Sequence, residues 1–165
     1  ERAILMTNFG INTKTMDIVD VGINTKMSEF HAAMGLATLD DIDNIISHRV
    51  QLFTLYCSLL KNYVLIPEWH KESNYNGAYM PITLPNSAMC TKVLEGLKTV
   101  GVFSRRYFSP SINKIEMYNT ATFNDCTNSE SLAERTLCLP LYYSLTENDV
   151  LYICSEIVKI VGRYD

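Results

Sequence analysis

Between Ile42 and Tyr63 the sequence carries neither glycine nor proline, and Ile42, Ile45, Ile46, Val50, Phe53, Tyr56, Leu60 and Tyr63 recur at helical spacing. A helix of about twenty residues rises about 30 Å. That length is enough to bridge two domains, and an apolar stripe so long needs partners on more than one level. The spacing predicts one long helix over 41–63 that organises what lies on either side of it.

The 165 residues give room for one domain with a real core and too little for two of ordinary size. Apolar residues make up 47% and charged residues 19%, the balance of a globular chain and not of a disordered one. A formal charge of −4 lacks the basic surplus that general nucleic-acid binding needs. No apolar run approaches the ~20 residues of a bilayer span. The amino end, from Glu1 through Phe9, lacks the build of a secretory leader, and Arg2 to Phe9 reads as the interior of an element. The chain is therefore expected to be a piece of something longer. Cys57, Cys90, Cys126, Cys138 and Cys154 are odd in number and scattered, with no C-x-x-C pair. This predicts reduced, buried thiols in a cytoplasmic protein, and neither a disulfide frame nor a zinc site.

Upstream of the long helix, residues 1–9 read as a helix end or connection closed by Gly10, and residues 11–24 as polar turns. Ser28 and Glu29 mark a helix start, with Phe30, Ala33, Met34 and Ala37 on one apolar face. Downstream, Val64–Ile66 is a short strand stopped by Pro67, and 68–77 is a loop. Ala78–Leu84 is a strand that Pro81 confines to an edge or bulge. Ser87 is expected to cap a helix that stops at Gly101. Val102–Phe103 and Arg105–Phe108 read as strand, 111–128 as irregular, Ser129–Thr136 as a short helix and Leu137–Leu139 as a buried strand. Thr146 and Asp149 form a capping-box variant opening a last helix. Helices followed by alternating strands and helices predict an α/β chain, locally α+β, with a small sheet covered on one side.

Chemistry-bearing residues are few. Asn24 and Lys26 sit on a loop before a helix start, where an amide and an ammonium either meet an anion such as a phosphate or decorate a solvated turn. In Arg105-Arg106-Tyr107 the two guanidinium groups face opposite ways on a strand. Either one points inward to a carboxylate or phosphate, or both flank a core strand at the surface. His31, His48 and His70 are too far apart to suggest a metal cluster, and the first two fall on helices at a surface or interface. Serine-hydrolase, Walker and zinc-protease motifs are missing, and no cysteine has an evident base. These residues name no catalytic group and no metal site.

The segment Gly22-Ile23-Asn24-Thr25-Lys26-Met27-Ser28-Glu29, continuing through Ala32-Ala33-Met34-Gly35, resembles the G-x-N-x-[RK]-[ML]-[ST]-[ED]-x-x-A-A-x-G stretch of the DegT–StrS sugar-nucleotide aminotransferases. Thr7-Asn8-Phe9-Gly10 resembles that family's R-N-[FH]-G turn. Arg105 through Pro110 resembles its R-R-Y-F-x-P strand. Leu137 through Tyr142, followed by Leu145-Thr146, resembles its L-x-L-P-L-[YH]…L-T end. The four matches occur in the family's order and span nearly the whole chain.

The resemblance implies the C-terminal part of a fold-type-I enzyme dependent on pyridoxal 5'-phosphate (PLP). On this reading residues 1–40 are a remnant of the large PLP domain with a dimer-facing loop and helix. Residues 41–63 are the connecting helix, and 64–165 the small C-terminal domain. It further implies a homodimer in which Asn24, with Lys26 in place of the usual arginine, reaches the PLP phosphate of the partner subunit. The parent reaction moves an amino group from glutamate to a nucleotide-linked keto-sugar in deoxyamino-sugar and polysaccharide biosynthesis. Arg105, Arg106 and Tyr107 are candidates for substrate contact. In the family the Schiff-base lysine lies upstream of the position of Glu1, and Lys26, Lys61 and Lys114 do not fall in its motif. The chain alone is therefore expected to bind no PLP covalently and to be inactive. The alternatives are a non-catalytic oligomerisation or binding module, whose exposed apolar faces favour a dimer or larger oligomer, and an unrelated α+β domain.

Overall fold

The stretch without glycine or proline forms a single 19-residue helix, α3 (Ile42–Leu60), after two helices nearer the amino end, α1 (Arg2–Met6) and α2 (Glu29–Asp40). The structure is a computed structural model and describes residues 2–118 and 126–162. The chain forms two compact units, Glu1–Ile42 and Asp43–Asp165. α3 is shorter than expected at its carboxyl end. The N–H groups of Tyr63 and Val64 both turn back to the Leu60 carbonyl, and Val64 enters the core, so the helix closes before Tyr63.

In the first unit a loop folds back along α1 and the turn that follows it. The N–H of Ile23 donates to Met6 O, that of Phe9 to Ile23 O and that of Thr25 to Thr7 O. Asn8 and Asn24 make an antiparallel bridge, as do Ile11 and Ile18. Gly10 does close α1, its N–H donating to Leu5 O at 2.8 Å, but it lies four residues beyond Met6 and not at the helix end. Its φ of +74° suits glycine, and a Cβ there would fall 1.7 Å from the Asp20 carbonyl oxygen. Ser28 caps α2 as expected, its Oγ accepting from the His31 N–H. No residue of α2 is buried: Phe30 is 85% and Met34 69% exposed.

The second unit is a helical layer on a small sheet. Strand β1 (Met80–Thr83) is followed by α4 (Ser87–Thr99), α5 (Thr127–Arg135), strand β2 (Thr136–Leu139) and α6 (Glu147–Val161). β1 and β2 pair antiparallel, with Met80 opposite Leu139 and Ile82 opposite Leu137. Alternation puts these four side chains on one face. There they meet Leu52, Tyr56 and Leu60 of α3, Val93 and Leu97 of α4, and Val150, Ile153 and Ile157 of α6 in one core. α4 and α6 cross closely at Gly96, where a Cβ would sit 2.5 Å from Ile160 Cδ1.

Pro81 lies opposite Cys138, whose own N–H and carbonyl bond Arg105 on the other side. Pro81 is thus in a non-hydrogen-bonded pair, its missing N–H facing away from β2, as the edge expectation requires.

Several expected elements shift. Val64–Ile66 and Val102–Phe108 are not strands but single bridges, Leu65 to Thr83 and Arg105 to Cys138. Pro67 ends the first because it offers no N–H for a ladder. The second leaves the sheet after Arg105, where Arg106 turns toward α5. The cap of α4 is Asn86, whose Oδ1 accepts from Met89 N–H, and Ser87 is the first helical residue; both types cap well, and asparagine here precedes. Gly101 stops α4 with φ +79°, and Val102 N–H bonds Leu97 O in a Schellman closure. The short helix α5 starts at Thr127 and yields Thr136 to β2, while 112–118 holds two 3-10 turns. The rest of the irregular stretch, 119–125, lies outside the described residues. The capping box is present, Thr146 and Asp149 exchanging both bonds.

Candidate functional site

Two of the motifs read from the sequence meet in the first unit. The backbone bridge between Asn8 and Asn24 lays the Thr7–Gly10 turn beside the Asn24–Lys26 loop. Lys26 Nζ donates to Asn8 Oδ1 at 2.8 Å and lies 5.4 Å from the centroid of the Phe9 ring. The ammonium is thus tethered on one side and supported on another, within the range of a cation–π contact. Gly22 makes this approach possible, since a Cβ there would lie 2.4 Å from Gly10 N and 2.7 Å from Met6 O. Asn24 and Lys26 are both exposed. An exposed carboxamide and a fixed ammonium on one loop are a donor set that fits a phosphate. In the sequence Asn8 and Phe9 stand only as part of a motif. Their link to Lys26 is a contact across eighteen positions that no local pattern shows.

The other two motifs meet in the second unit. Arg105 exchanges both backbone bonds with Cys138, N–H to Cys138 O at 3.0 Å and O from Cys138 N–H at 2.7 Å. Arg105 and Arg106 do face opposite ways. Arg106 points inward, but its partners are neither carboxylate nor phosphate: Nη2 donates to Glu134 O at 2.6 Å, and to Ala133 O at 3.4 Å. Those are carbonyls of the last turn of α5, where a cation is favoured by the helix dipole. Arg105 stays exposed and lines a cavity of about 180 Å³ with Tyr79, Tyr107 and Cys138. Tyr107 stacks on Phe108 at 5.2 Å between centroids and meets the edge of Tyr79 at 5.7 Å. Tyr79 is a member of this aromatic group that the sequence did not announce.

The remaining candidates have structural partners. His48 is half-buried: its Nε2 bonds Leu145 O at 2.9 Å, and its ring meets the edge of Tyr143. His31 Nδ1 lies 2.7 Å from Ser28 Oγ, and His70 Nδ1 accepts from Glu72 N–H. The five cysteines remain thiols, and Cys90, Cys138 and Cys154 are buried. Burial pushes the Cys154 thiol up to about 12, away from the thiolate form that nucleophilic chemistry needs. Among the described residues no cluster of His, Cys, Asp and Glu is built to hold a metal, and no helix is long and apolar enough to cross a membrane.

The sequence profile of the DegT/DnrJ/EryC1/StrS aminotransferase family matches residues 1–158. A similar curated protein is a dTDP-4-amino-4,6-dideoxy-D-glucose transaminase of Escherichia coli, 35% identical over 155 residues that cover 90% of this chain and 42% of the relative. A solved DegT DnrJ EryC1 StrS aminotransferase from Brucella abortus superposes with a TM-score of 0.89 at 24% identity, covering 98% of this chain and 43% of that one. A solved PLP-dependent aminotransferase from Bacillus cereus gives 0.82 at 30% identity, covering 94% and 43%. The chain spans less than half the length of each.

Proposed function

The chain belongs to the DegT/DnrJ/EryC1/StrS aminotransferase family, and we propose that it is the C-terminal portion of a PLP-dependent enzyme that transfers an amino group from glutamate to a nucleotide-linked keto-sugar. The reading rests on one observation above others. The Thr7–Gly10 and Gly22–Lys26 motifs are bonded together so that Asn24 and a tethered Lys26 stand exposed on one loop. Such a loop suits the phosphate of PLP held by a partner subunit of a homodimer. Bound PLP supplies the electron sink for transamination. Asn24 offers it a neutral donor and Lys26 a point charge. Residues 1–40 then correspond to a remnant of the large domain, 41–63 to the connecting helix and 64–165 to the small domain. Arg105 and Tyr107, exposed on one cavity, are the residues of this chain best placed to meet substrate; Arg106 is committed to α5. The nucleotide-sugar substrate is supported by the names of relatives, and reduced thiols suit a cytoplasmic setting.

These 165 residues alone do not transaminate on this reading, because no lysine among them stands in the family's Schiff-base motif. Borohydride reduction with PLP, followed by peptide mapping, is expected to label no single lysine. A stoichiometric adduct at one specific lysine overturns it. An assembly role is the second reading, favoured by the wholly unburied α2. Light scattering is expected to show a dimer or larger species at micromolar concentration, and a stable monomer counts against it.

A further inference from the structure

The second unit holds a cavity of about 420 Å³ between the C-terminal end of α4 and the first turn of α6. Its lining includes Gly101, Phe103, Tyr142, Asp149, Tyr152 and Ile153. Phe103 is 68% exposed, and Tyr142 and Tyr152 are each 47% exposed, so three rings are open to solvent at one opening. Among the described residues, the lining carries no lysine, arginine or histidine.

Among the described residues, the one charged side chain in the lining is Asp149. Asp149 Oδ2 accepts the N–H and hydroxyl of Thr146, which leaves its other oxygen for a ligand. Those same bonds hold the carboxyl below its ordinary range, so the charge persists at neutral pH. The carboxyl end of α4 adds the negative pole of a helix dipole, opposed by Lys98 in the same last turn, which lies outside the lining. The positive pole of α6 opposes it with about half a charge, and Glu147 and Asp149 in the first turn outweigh that. Ring faces are negative, so aromatic walls and a carboxylate select for a cation and against an anion.

We propose that this cavity binds a small organic cation, its ammonium group seated among Phe103, Tyr142 and Tyr152 and facing Asp149. The volume falls in the range of ligand pockets and exceeds what one water-sized ion requires. The proposal uses only the second unit and stands apart from the aminotransferase reading, so either can fail without the other.

Tetramethylammonium chloride titrated into the 165-residue chain at constant ionic strength, read by amide chemical shifts, tests it. Saturable shifts are expected at Gly101–Phe103 and Tyr142–Ile153. Tyr152→Leu is expected to weaken binding by about fivefold, and Asp149→Asn, which keeps a cap acceptor, by about threefold or more. Tert-butanol, of similar shape and no charge, is expected to bind at least about tenfold more weakly. No saturable shift below about 100 mM overturns the proposal. So does equal binding of tert-butanol, which marks an apolar groove only, or unchanged affinity in both variants. If either variant loses its circular dichroism signal, Phe103→Leu at an exposed position replaces it and is read in the same way.

Discussion

Lys26 and Asn8, eighteen positions apart, are joined by a 2.8 Å hydrogen bond from the lysine ammonium to the asparagine carboxamide oxygen. The bond fixes a flexible four-carbon side chain that would otherwise sample many rotamers. Fixing it before a phosphate arrives lowers the ordering cost of binding.

Asn8→Ala is expected to act through Lys26. In an enzyme completed by its large-domain half, the variant should weaken PLP retention by about three- to tenfold, and Lys26→Ala by more. The double variant should be no worse than Lys26→Ala alone, because the two residues act as a unit. PLP absorbance after gel filtration measures all three. Additive losses would show that Asn8 serves the loop and not the lysine.

Gly22→Ala should loosen the first unit selectively. The added Cβ would lie 2.4 Å from Gly10 N and 2.8 Å from Phe9 C, both backbone atoms that cannot step aside cheaply. The expected cost is about 1–3 kcal/mol. Amide exchange at Ile23 and Thr25, whose N–H groups cross to Met6 and Thr7, should speed up while the core amides of α6 are unchanged. Gly35 is the control, since an added Cβ there meets nothing within 4 Å and alanine favours a helix interior. Gly22→Ala leaving exchange at Ile23 and Thr25 as unchanged as Gly35→Ala does would refute the close-approach account.

The long helix, the capping box and the two strand segments were legible because each is a local or periodic pattern, whereas the antiparallel pairing of the strands was not. Leu52, Tyr56 and Leu60 repeat every four residues, and Thr146 sees Asp149 three residues away. What the sequence concealed is long-range. Leu65 and Arg105 look like strand residues, and only the tertiary course limits each to one bridge. Arg105 and Arg106 read either as a pair of which one meets an anion or as an exposed pair beside a core strand, and only α5 decides it, delivering carbonyls to Arg106 from twenty-seven and twenty-eight positions away. The site was legible in the same uneven way. Asn24 and Lys26 stood out as a loop before a helix, but Asn8 and Tyr79 gain their places from contacts that no spacing encodes.

Tyr56→Phe isolates one buried hydrogen bond. The ring is fully buried and its hydroxyl donates to Pro140 O at 3.1 Å, tying α3 to the segment after β2. Burial raises the phenol well above its ordinary range, so it remains a neutral donor throughout the accessible pH range. Losing the bond should cost about 1–2 kcal/mol, with the stranded carbonyl contributing part. Tyr56→Ala should cost about 3–5 kcal/mol through the cavity it leaves. Urea denaturation distinguishes the two. A Tyr56→Phe variant as stable as the parent would mean that water serves Pro140 equally well.

Thr146→Ala should unseat the start of α6 and change the acid response of the fold. Thr146 Oγ1 accepts from Asp149 N–H, while its own N–H and hydroxyl donate to the Asp149 carboxylate. Removing an N-cap side chain costs about 1 kcal/mol, or about 4 °C in Tm for a unit of this size. The bonds from Thr146 lower the pKa of Asp149 in the folded chain. A carboxyl whose folded pKa is depressed stabilises the fold fully above its unfolded value of about 3.9, and that contribution is lost as pH falls through the lower folded value. The parent should therefore lose stability on acidification below about pH 4 at this site, and the alanine variant should lose less there, having less to lose. Melts from pH 6 to about pH 3, with carboxyl titration followed by NMR, test both parts. An Asp149 titration that Thr146→Ala leaves unmoved would show that the hydroxyl does not set the charge at the head of α6.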